Sequence, residues 1–264
     1  MSFPHYFLET QVLSRETGEN FELLLSKEDA KHARVARLSA GEHLAVIDAE
    51  QDYFHCQVVD FSGNLPIVRI AQKIESQQEQ PAITLVQGLA KGEKMELVIR
   101  HGTELGVCSF IPLKCERSIM KLDPKKAGER IKRWNAIAKS AAMQSGQHFI
   151  AAVQDQHSIG QLSARASEFD AIFVCWEEAD QVYSLKRALT HLREVAPERF
   201  PAPRIALVVG PEGGLSEREV QALLDSHPRA QLVSLGSSIL RTETAGIVAP
   251  ALVLYELGLL GGTC

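Results

Sequence analysis

The chain has no excess of positive charge. Its 28 Lys and Arg stand against 33 Asp and Glu, a formal net charge of -5, with a sequence pI near 6.0. Any nucleic-acid surface must therefore be a local patch, because the overall basic footprint is missing. Paired cysteines are missing too. Cys56, Cys108, Cys115, Cys175 and Cys264 are odd in number, and none stands in a C-x-x-C word or beside histidines at zinc spacing. That excludes a disulfide framework and a zinc module, and it reads as free thiols in a reducing cytosol, hence a cytoplasmic protein. The opening MSFPHYFLET has no basic stretch followed by an apolar core, so no secretory signal is expected. The most apolar run, Ala245 to Leu260, is broken by Pro250, Glu256 and two glycines. It is too short for a bilayer and reads as a buried helix, so no membrane is expected as a partner. No repeat or low-complexity tract appears. There is no G-x-x-x-x-G-K-[ST], G-x-G-x-x-G or G-x-S-x-G word, which argues against a phosphate loop, a dinucleotide fingerprint and an α/β-hydrolase elbow. His101, His148 and His157 lack ligand spacing and read as surface or packing residues, and no metal is expected.

What is present suits a folded protein. The 264 residues are 45% hydrophobic and 23% charged, enough for one large domain or two ordinary ones. Residues 1–73 read as mostly β, with strands at Phe21–Leu25, His43–Ile47, Tyr53–Val59 and Pro66–Ile70. Turn residues such as Gly41, Asp48 and Ser62-Gly63-Asn64 punctuate them, and one helix is expected from Lys27 to Leu38. Residues 74–81 are polar, end in Pro81 and read as a linker. From residue 82 to 264 the pattern changes. Apolar runs at Ile83–Val86, Phe110–Leu113, Ala171–Cys175, Ile205–Val209 and Leu232–Leu235 suit strands buried on both faces of a parallel sheet. Helical spacing over Glu93–Leu105, stopped by Gly106, and over Lys125–Ser145, stopped by Gly146, alternates with them. This alternation predicts an α/β domain.

Two segments carry chemistry. Val208-Val209-Gly210-Pro211-Glu212-Gly213-Gly214-Leu215-Ser216 is a buried strand running into a glycine-rich turn. Ser216 and Glu219 form a capping-box pair that predicts a helix start near Glu217. Glycines allow a tight turn and close approach to a ligand, and ligands of open α/β sheets bind at the carboxyl ends of the strands. The second segment, Leu235-Gly236-Ser237-Ser238-Ile239-Leu240-Arg241-Thr242-Glu243-Thr244-Ala245-Gly246, leads into an apolar helix with Thr242 or Thr244 as N-cap. Arg241, beside Ile239-Leu240, requires a ligand or a partner such as Glu243 or Glu212.

Together these words resemble the S-adenosylmethionine-binding region of the SPOUT superfamily. More closely, they resemble the 16S rRNA uracil-N3 methyltransferase (RsmE-like) family, with its G-P-E-G-G-[LF]-[ST] and L-G-x-x-I-L-R-T-E-T-A words. Lys91–Glu96, Thr103–Val107, Glu116–Ser118, Lys121–Asp123, Gln144–Gly146, and Lys31–Leu38 with Gly41-Glu42 extend the likeness along the whole chain. The resemblance implies an α/β domain whose C-terminal segment threads a deep trefoil knot, preceded by a small PUA-like RNA-binding β-barrel. It implies S-adenosylmethionine bent in the knot, held by Val209, Gly210, Glu212, Gly214, Leu235, Gly236, Ile239, Leu240 and Thr244. It also implies a homodimer acting on N3 of a uridine near the 3′ end of 16S rRNA in the small ribosomal subunit.

Methylating uracil N3 requires removing its proton, which puts negative charge on O2 and O4. Arg241 is the candidate to hold the base or stabilise that charge. Glu243 or Glu212 could orient it or accept the proton. Lys and Arg between Lys114 and Arg133 number eight against three acids, a net of +5. Arg117, Lys121 and Arg133 there, Arg34 and Arg37 beside Lys27 and Lys31, and Lys91 with Lys94 are candidates for phosphate contacts. The chain departs from the family at His101, where lysine is common, at Gln147, where arginine is usual, and at Ser237-Ser238. These departures bear on the RNA more than on the cofactor. Two alternatives stay open: a knotted methyltransferase acting on a ribose 2′-hydroxyl or a tRNA base, and a non-catalytic RNA-binding assembly factor.

Overall fold

Alternation of apolar and polar residues turns one face of each strand inward, and the N-terminal quarter folds on this rule. The computed structural model describes residues 3–35, 37–75, 80–120, 122–176 and 183–261. The chain divides into two compact units, Met1–Gln78 with Ala142–Phe149, and Glu79–Ala141 with Ile150–Cys264.

The first unit is a small mixed sheet of β1 (His5–Phe7), β2 (Phe21–Glu22), β3 (His43–Ile47), β4 (Tyr53–Ser62) and β5 (Leu65–Ile74), in the order β1-β3-β4-β5-β2. β1 lies parallel to β3, and the other neighbours are antiparallel. On β4, Phe54, Cys56 and Val58 are buried while Tyr53, His55 and Gln57 are half-buried. The buried set packs with Tyr6, Leu44, Val46 and Val68 and with Ala30 and Ala33 of α1 (Lys27–Val35). Ser26 starts α1 by accepting the backbone N–H of Asp29 at 3.1 Å. The helix stops short of the expected Leu38. Arg37 takes a left-handed φ of 58° and the N–H of Leu38 returns to the Ala33 carbonyl, which closes the last turn. Ala36 lies outside the described residues. β1 was not expected, because three residues carry no readable period.

Continuous apolar runs build the second unit. Its strands are β6 (Ala82–Gly88), β7 (Ser109–Lys114), β8 (Ala152–Val153), β9 (His157–Ser158), β10 (Ala171–Cys175), β11 (Tyr183–Ser184), β12 (Arg204–Val209) and β13 (Ala230–Ser234). They order as β11-β13-β10-β12-β6-β7-β8, with β9 also on β7, and every pairing is parallel. The helices are α2 (Lys94–Leu105), α3 (Pro124–Ser145), α4 (Ile159–Ala164), α5 (Leu185–Val195), α6 (Glu217–Asp225) and α7 (Thr242–Glu256). Gly106 ends α2 as expected, its N–H bonding the Gly102 and Thr103 carbonyls. Ile131, Trp134, Ala138 and Ala141 recur at helical spacing on α3, and the last three are buried while Ile131 is half-buried. The last residues of α3 belong to the first unit, which the sequence did not suggest.

Strand β13 begins and ends earlier than expected, so Leu235 falls in the turn beyond it. Of the expected linker, residues 76–79 lie outside the described residues. No helix among the described residues is long and apolar enough to cross a membrane. Cys56, Cys108, Cys115 and Cys175 form no disulfide, and Cys264 lies outside the described residues.

Candidate cofactor pocket and active site

With all strands of the second sheet parallel, the turns at their carboxyl ends gather at one end of the sheet, where ligands of such sheets bind. A cavity of about 410 Å³ opens there beyond β10, β12 and β13. Val209, Gly210, Glu212 and Gly214 form one wall, and Leu235, Gly236, Ile239, Leu240 and Arg241 form another. Two expected residues are not in it. Thr244 is exposed on α7, and Glu243 is half-buried behind the wall.

The first wall follows from its sequence. β12 ends at Val209, and the turn closes with the Gly214 N–H on the Pro211 carbonyl at 2.9 Å. Ser216 and Glu219 cap α6 reciprocally, as the spacing predicted. The Glu219 carboxylate also accepts the Glu116 N–H at 2.8 Å, which ties the turn after β7 to the same helix end. At Gly88 a Cβ would lie 2.3 Å from the Pro211 nitrogen, so only glycine lets the end of β6 reach the turn.

The second wall leaves β13 through Gly236, whose φ of 125° L side chains rarely adopt. Its N–H bonds the Ser234 hydroxyl at 3.1 Å. The expected threonine cap is replaced. Arg241 is the N-cap of α7 without a side-chain bond. The Thr242 hydroxyl instead donates to the Gly210 carbonyl at 2.6 Å and accepts from Gln87 Nε2 at 2.8 Å. Thr242 and Gln87 are both buried, and a buried hydroxyl must find partners where it lies.

Lys94, expected among the phosphate-binding residues, stands in the cavity wall. Its ammonium is 3.1 Å from Glu212 Oε1 and 3.1 Å from Glu243 Oε2. Hydrogen bonds to Glu243 and Glu212 raise the Lys94 pKa above its ordinary value. Burial alone would raise both carboxylates. Backbone N–H groups and Lys94 outweigh it and hold both below the ordinary range. Glu212 also accepts the Lys91 N–H at 3.0 Å. Both carboxylates expected to pair with Arg241 pair with Lys94 instead, although the Arg241 charge still helps to lower the Glu243 pKa. Arg241 is exposed, lines the cavity, and has no ion pair or side-chain hydrogen bond among the described residues. Ile239, 83% exposed, stands beside it at the rim.

The other expected RNA contacts scatter. Arg34 and Arg37 are exposed on the first unit. In the second, Lys91 is exposed, and Arg117 reaches the Gly213 carbonyl at 3.4 Å. Arg133 donates to Glu96 at 2.7 Å. Lys121 lies outside the described residues. His101 pairs with Glu104 at 2.8 Å, and His157 meets Arg165 at 2.9 Å. Among the described residues no group of three or more His, Cys, Asp and Glu could hold a metal ion. Cys175 and Trp176 in the lining, and Gln87 behind it, were missed as site residues, and Lys94 was expected on RNA and not in this cavity. Only Cys175 had a local signal, the end of a buried strand.

A parallel α/β sheet with two glycine-bearing turns around one cavity at the carboxyl ends of its strands defines a small-molecule-binding enzyme fold. The model of the RNA methyltransferase domain matches residues 77–254. The chain is 34% identical over 261 residues to Ribosomal RNA small subunit methyltransferase E of Bacillus subtilis, covering 97% of this chain and 98% of that protein. It is 33% identical over 222 residues to the protein of the same name from Mycobacterium tuberculosis, covering 82% and 79%. The crystal structure of Ribosomal RNA small subunit methyltransferase E from Neisseria gonorrhoeae, bound to S-adenosyl methionine, aligns with a TM-score of 0.75 at 25% identity, covering 96% and 97%. The chain belongs to the RNA methyltransferase family.

Proposed function

We propose that this protein transfers a methyl group from S-adenosylmethionine to N3 of a uridine near the 3′ end of 16S rRNA in the small ribosomal subunit. The observation that carries the reading is the cavity walled by the Gly210–Gly214 turn and the Gly236 turn, with an exposed Arg241 in its lining. The full-length likeness to methyltransferases named for small-subunit ribosomal RNA supports the substrate.

The residues present fit the cofactor. About 410 Å³ is within the range of small-molecule sites. Gly236 lines the cavity with nothing within 4 Å of where a Cβ would stand, so its backbone is open to a ligand. Bound there, S-adenosylmethionine supplies an electrophilic methyl group on a sulfonium. Backbone groups of Leu235, Gly236 and Leu240 and the Gly210–Gly214 turn, which line the cavity with Ile239, would hold it. Arg241, in the cavity wall, would meet the charge that develops on uracil O2 and O4 when N3 gives its proton to solvent water. Glu212 and Glu243 are held below the ordinary carboxylate range by backbone N–H groups and then by Lys94, which makes them weak bases. Their part is to fix Lys94 between the two turns, in place of the catalytic role expected of Glu243.

The same reading makes the C-terminal segment a deep trefoil knot and residues 1–73 a PUA-like RNA-binding barrel, joined through 74–81 to a methyltransferase domain over 82–264. It also makes the active form a homodimer. Leu97 of α2 and Leu252 and Tyr255 of α7 are large apolar side chains left exposed on two helices that pack together, which supports a partner surface there.

The test is methyl transfer from labelled cofactor to 30S subunits lacking their methylations, followed by nucleoside analysis. A single 3-methyluridine near the 3′ end of 16S rRNA is expected. Label in another nucleoside overturns the proposed target and keeps the family.

A further inference from the structure

Six aromatic and imidazole rings meet on the face of the first sheet opposite its core. His5 of β1 aligns with Ala45 of β3, and Ala45 with His55 of β4. His43 and Tyr53 stand one row to either side on the same face, since side chains alternate along a strand. Phe3, just before β1, stacks on His43 with ring centroids 5.5 Å apart and meets His55 edge-on at 5.1 Å. Tyr53 meets His55 edge-on at 5.3 Å and stacks with His5 at 5.9 Å. His148, from the 142–149 segment of this same unit, lies over Tyr53 at 4.4 Å and stacks with His5 at 6.3 Å. We propose that this ring cluster is a stacking site for an unpaired nucleobase of the RNA substrate.

The cluster is held in place and it is open. The Tyr53 phenol oxygen is 3.2 Å from His55 Nε2 and 3.4 Å from His5 Nε2. His5 Nδ1 meets the Phe3 carbonyl at 2.8 Å. A ring fixed by its neighbours loses little freedom when a base lands on it. His43 and His148 are exposed and Tyr53, His55 and Phe3 are half-buried, so these five rings keep surface toward solvent around a buried His5. Burial lowers the pKa of His5 and of His148 and raises that of Tyr53, which leaves these three rings uncharged at neutral pH.

The surroundings favour a base. The strand neighbours on this face are Gln57, Gln72, Ile74 and Arg69, with no carboxylate among them to repel a phosphate. Arg69 is itself held by two bonds to Gln57, at 3.0 and 2.7 Å, and brings a cation to one end of the row. The nearby acids are engaged. Asp52 pairs with Lys73, and Asp48 accepts the backbone N–H groups of Leu13, Glu50 and Asp52. A metal is not favoured, because the imidazoles lie ring against ring, and no metal-holding group exists among the described residues. Unpaired bases are recognised by stacking on such rings, with little dependence on sequence.

The inference rests on an RNA substrate and adds a site far from the chemistry in the chain. It is tested on the full-length protein by fluorescence anisotropy, with a labelled single-stranded RNA dodecamer and a duplex of the same sequence. Cofactor affinity is measured beside it by calorimetry. His148→Ala and Tyr53→Ala should each weaken single-strand binding roughly tenfold. Tyr53→Phe, which keeps the ring, should stay near the native value, and duplex binding and cofactor affinity should not change. His148 is exposed, so His148→Ala reports on stacking even if Tyr53→Ala destabilises the sheet. Native single-strand affinity in His148→Ala overturns the proposal. So does failure of the native protein to bind the dodecamer while it still binds cofactor, an outcome that leaves methyl transfer standing. Loss of cofactor binding is a separate matter and counts against the pocket.

Discussion

The Thr242 hydroxyl donates to the Gly210 carbonyl at 2.6 Å, joining the start of α7 to the turn that follows β12. The two walls of the cavity, remote from each other in sequence, are thus joined. Gln87 backs the contact by donating to the same hydroxyl at 2.8 Å from the end of β6. Three chain segments converge on a single buried oxygen.

Thr242→Val keeps the shape of the side chain and removes that oxygen. The Gly210 carbonyl and the Gln87 amide then lose a buried partner, a loss of about 1–3 kcal/mol. Urea unfolding should register it, and calorimetry should show weaker cofactor binding because the turn is no longer pinned. Thr242→Ser should keep most of both. If Thr242→Val binds cofactor as the native protein does, the contact is structural only.

Lys94 makes the pocket sensitive to acid. Glu212 and Glu243 have folded pKa values below the ordinary 4.5, so their contribution is present above 4.5 and is lost as pH falls through the lowered values. Lys94 is raised above 10.5, so its contribution is complete below 10.5 and is lost as pH rises through the higher value. Lys94→Met leaves two partly buried carboxylates without their cation. The variant should melt lower than the native protein at neutral pH, and the gap should narrow toward acid. A gap that stays constant through the acid range would show that the ion pairs do not set it.

Arg241 separates chemistry from stability. Its side chain is exposed and unpaired among the described residues, so Arg241→Ala should leave the melting temperature nearly unchanged. Cofactor affinity should be largely kept. Methyl transfer should fall by about 10² to 10³, the usual effect of removing one group that meets developing charge. Native turnover would remove Arg241 from the mechanism.

What the sequence made legible was local. The capping box at Ser216 and Glu219, the stop at Gly106, the buried runs Ala171–Cys175 and Ile205–Val209, and both glycine-rich turns are each written within a dozen residues, and each stands where expected. What stayed hidden depends on strand order. Lys94 opens a helix after β6, and nothing near it in sequence says that β6 lies beside β12. Without that adjacency Lys94 reads as one more surface cation, and Glu243 as a partner for the arginine two residues away. Trp176 and Gln87 were missed for the same reason. Thr242 was misread as a cap because its true acceptor, the Gly210 carbonyl, is contributed by another strand. His148 carried no signal because its rings are gathered from β1, β3, β4 and the residues following α3.

Gly246 tests the packing behind the wall. A Cβ there would lie 2.3 Å from Gln87 Oε1 and 3.1 Å from the Val98 methyls of α2. Among the described residues Gln87 Oε1 is buried with no hydrogen-bond partner, and the amide nitrogen holds the side chain on Thr242 and on the Gly88 carbonyl at 3.3 Å. Gly246→Ala forces the amide to turn and to drop Thr242, which should cost about 1–3 kcal/mol for overpacking and weaken cofactor binding in step. The cause is checked by a double-mutant cycle with Gln87→Ala, which removes the obstructing oxygen. If the clash with Gln87 is the reason, Gly246→Ala should cost clearly less in the Gln87→Ala background than in the native one. Equal costs in both backgrounds would place the strain at Val98 and would leave the Gln87–Thr242 contact outside the path from α7 to the pocket.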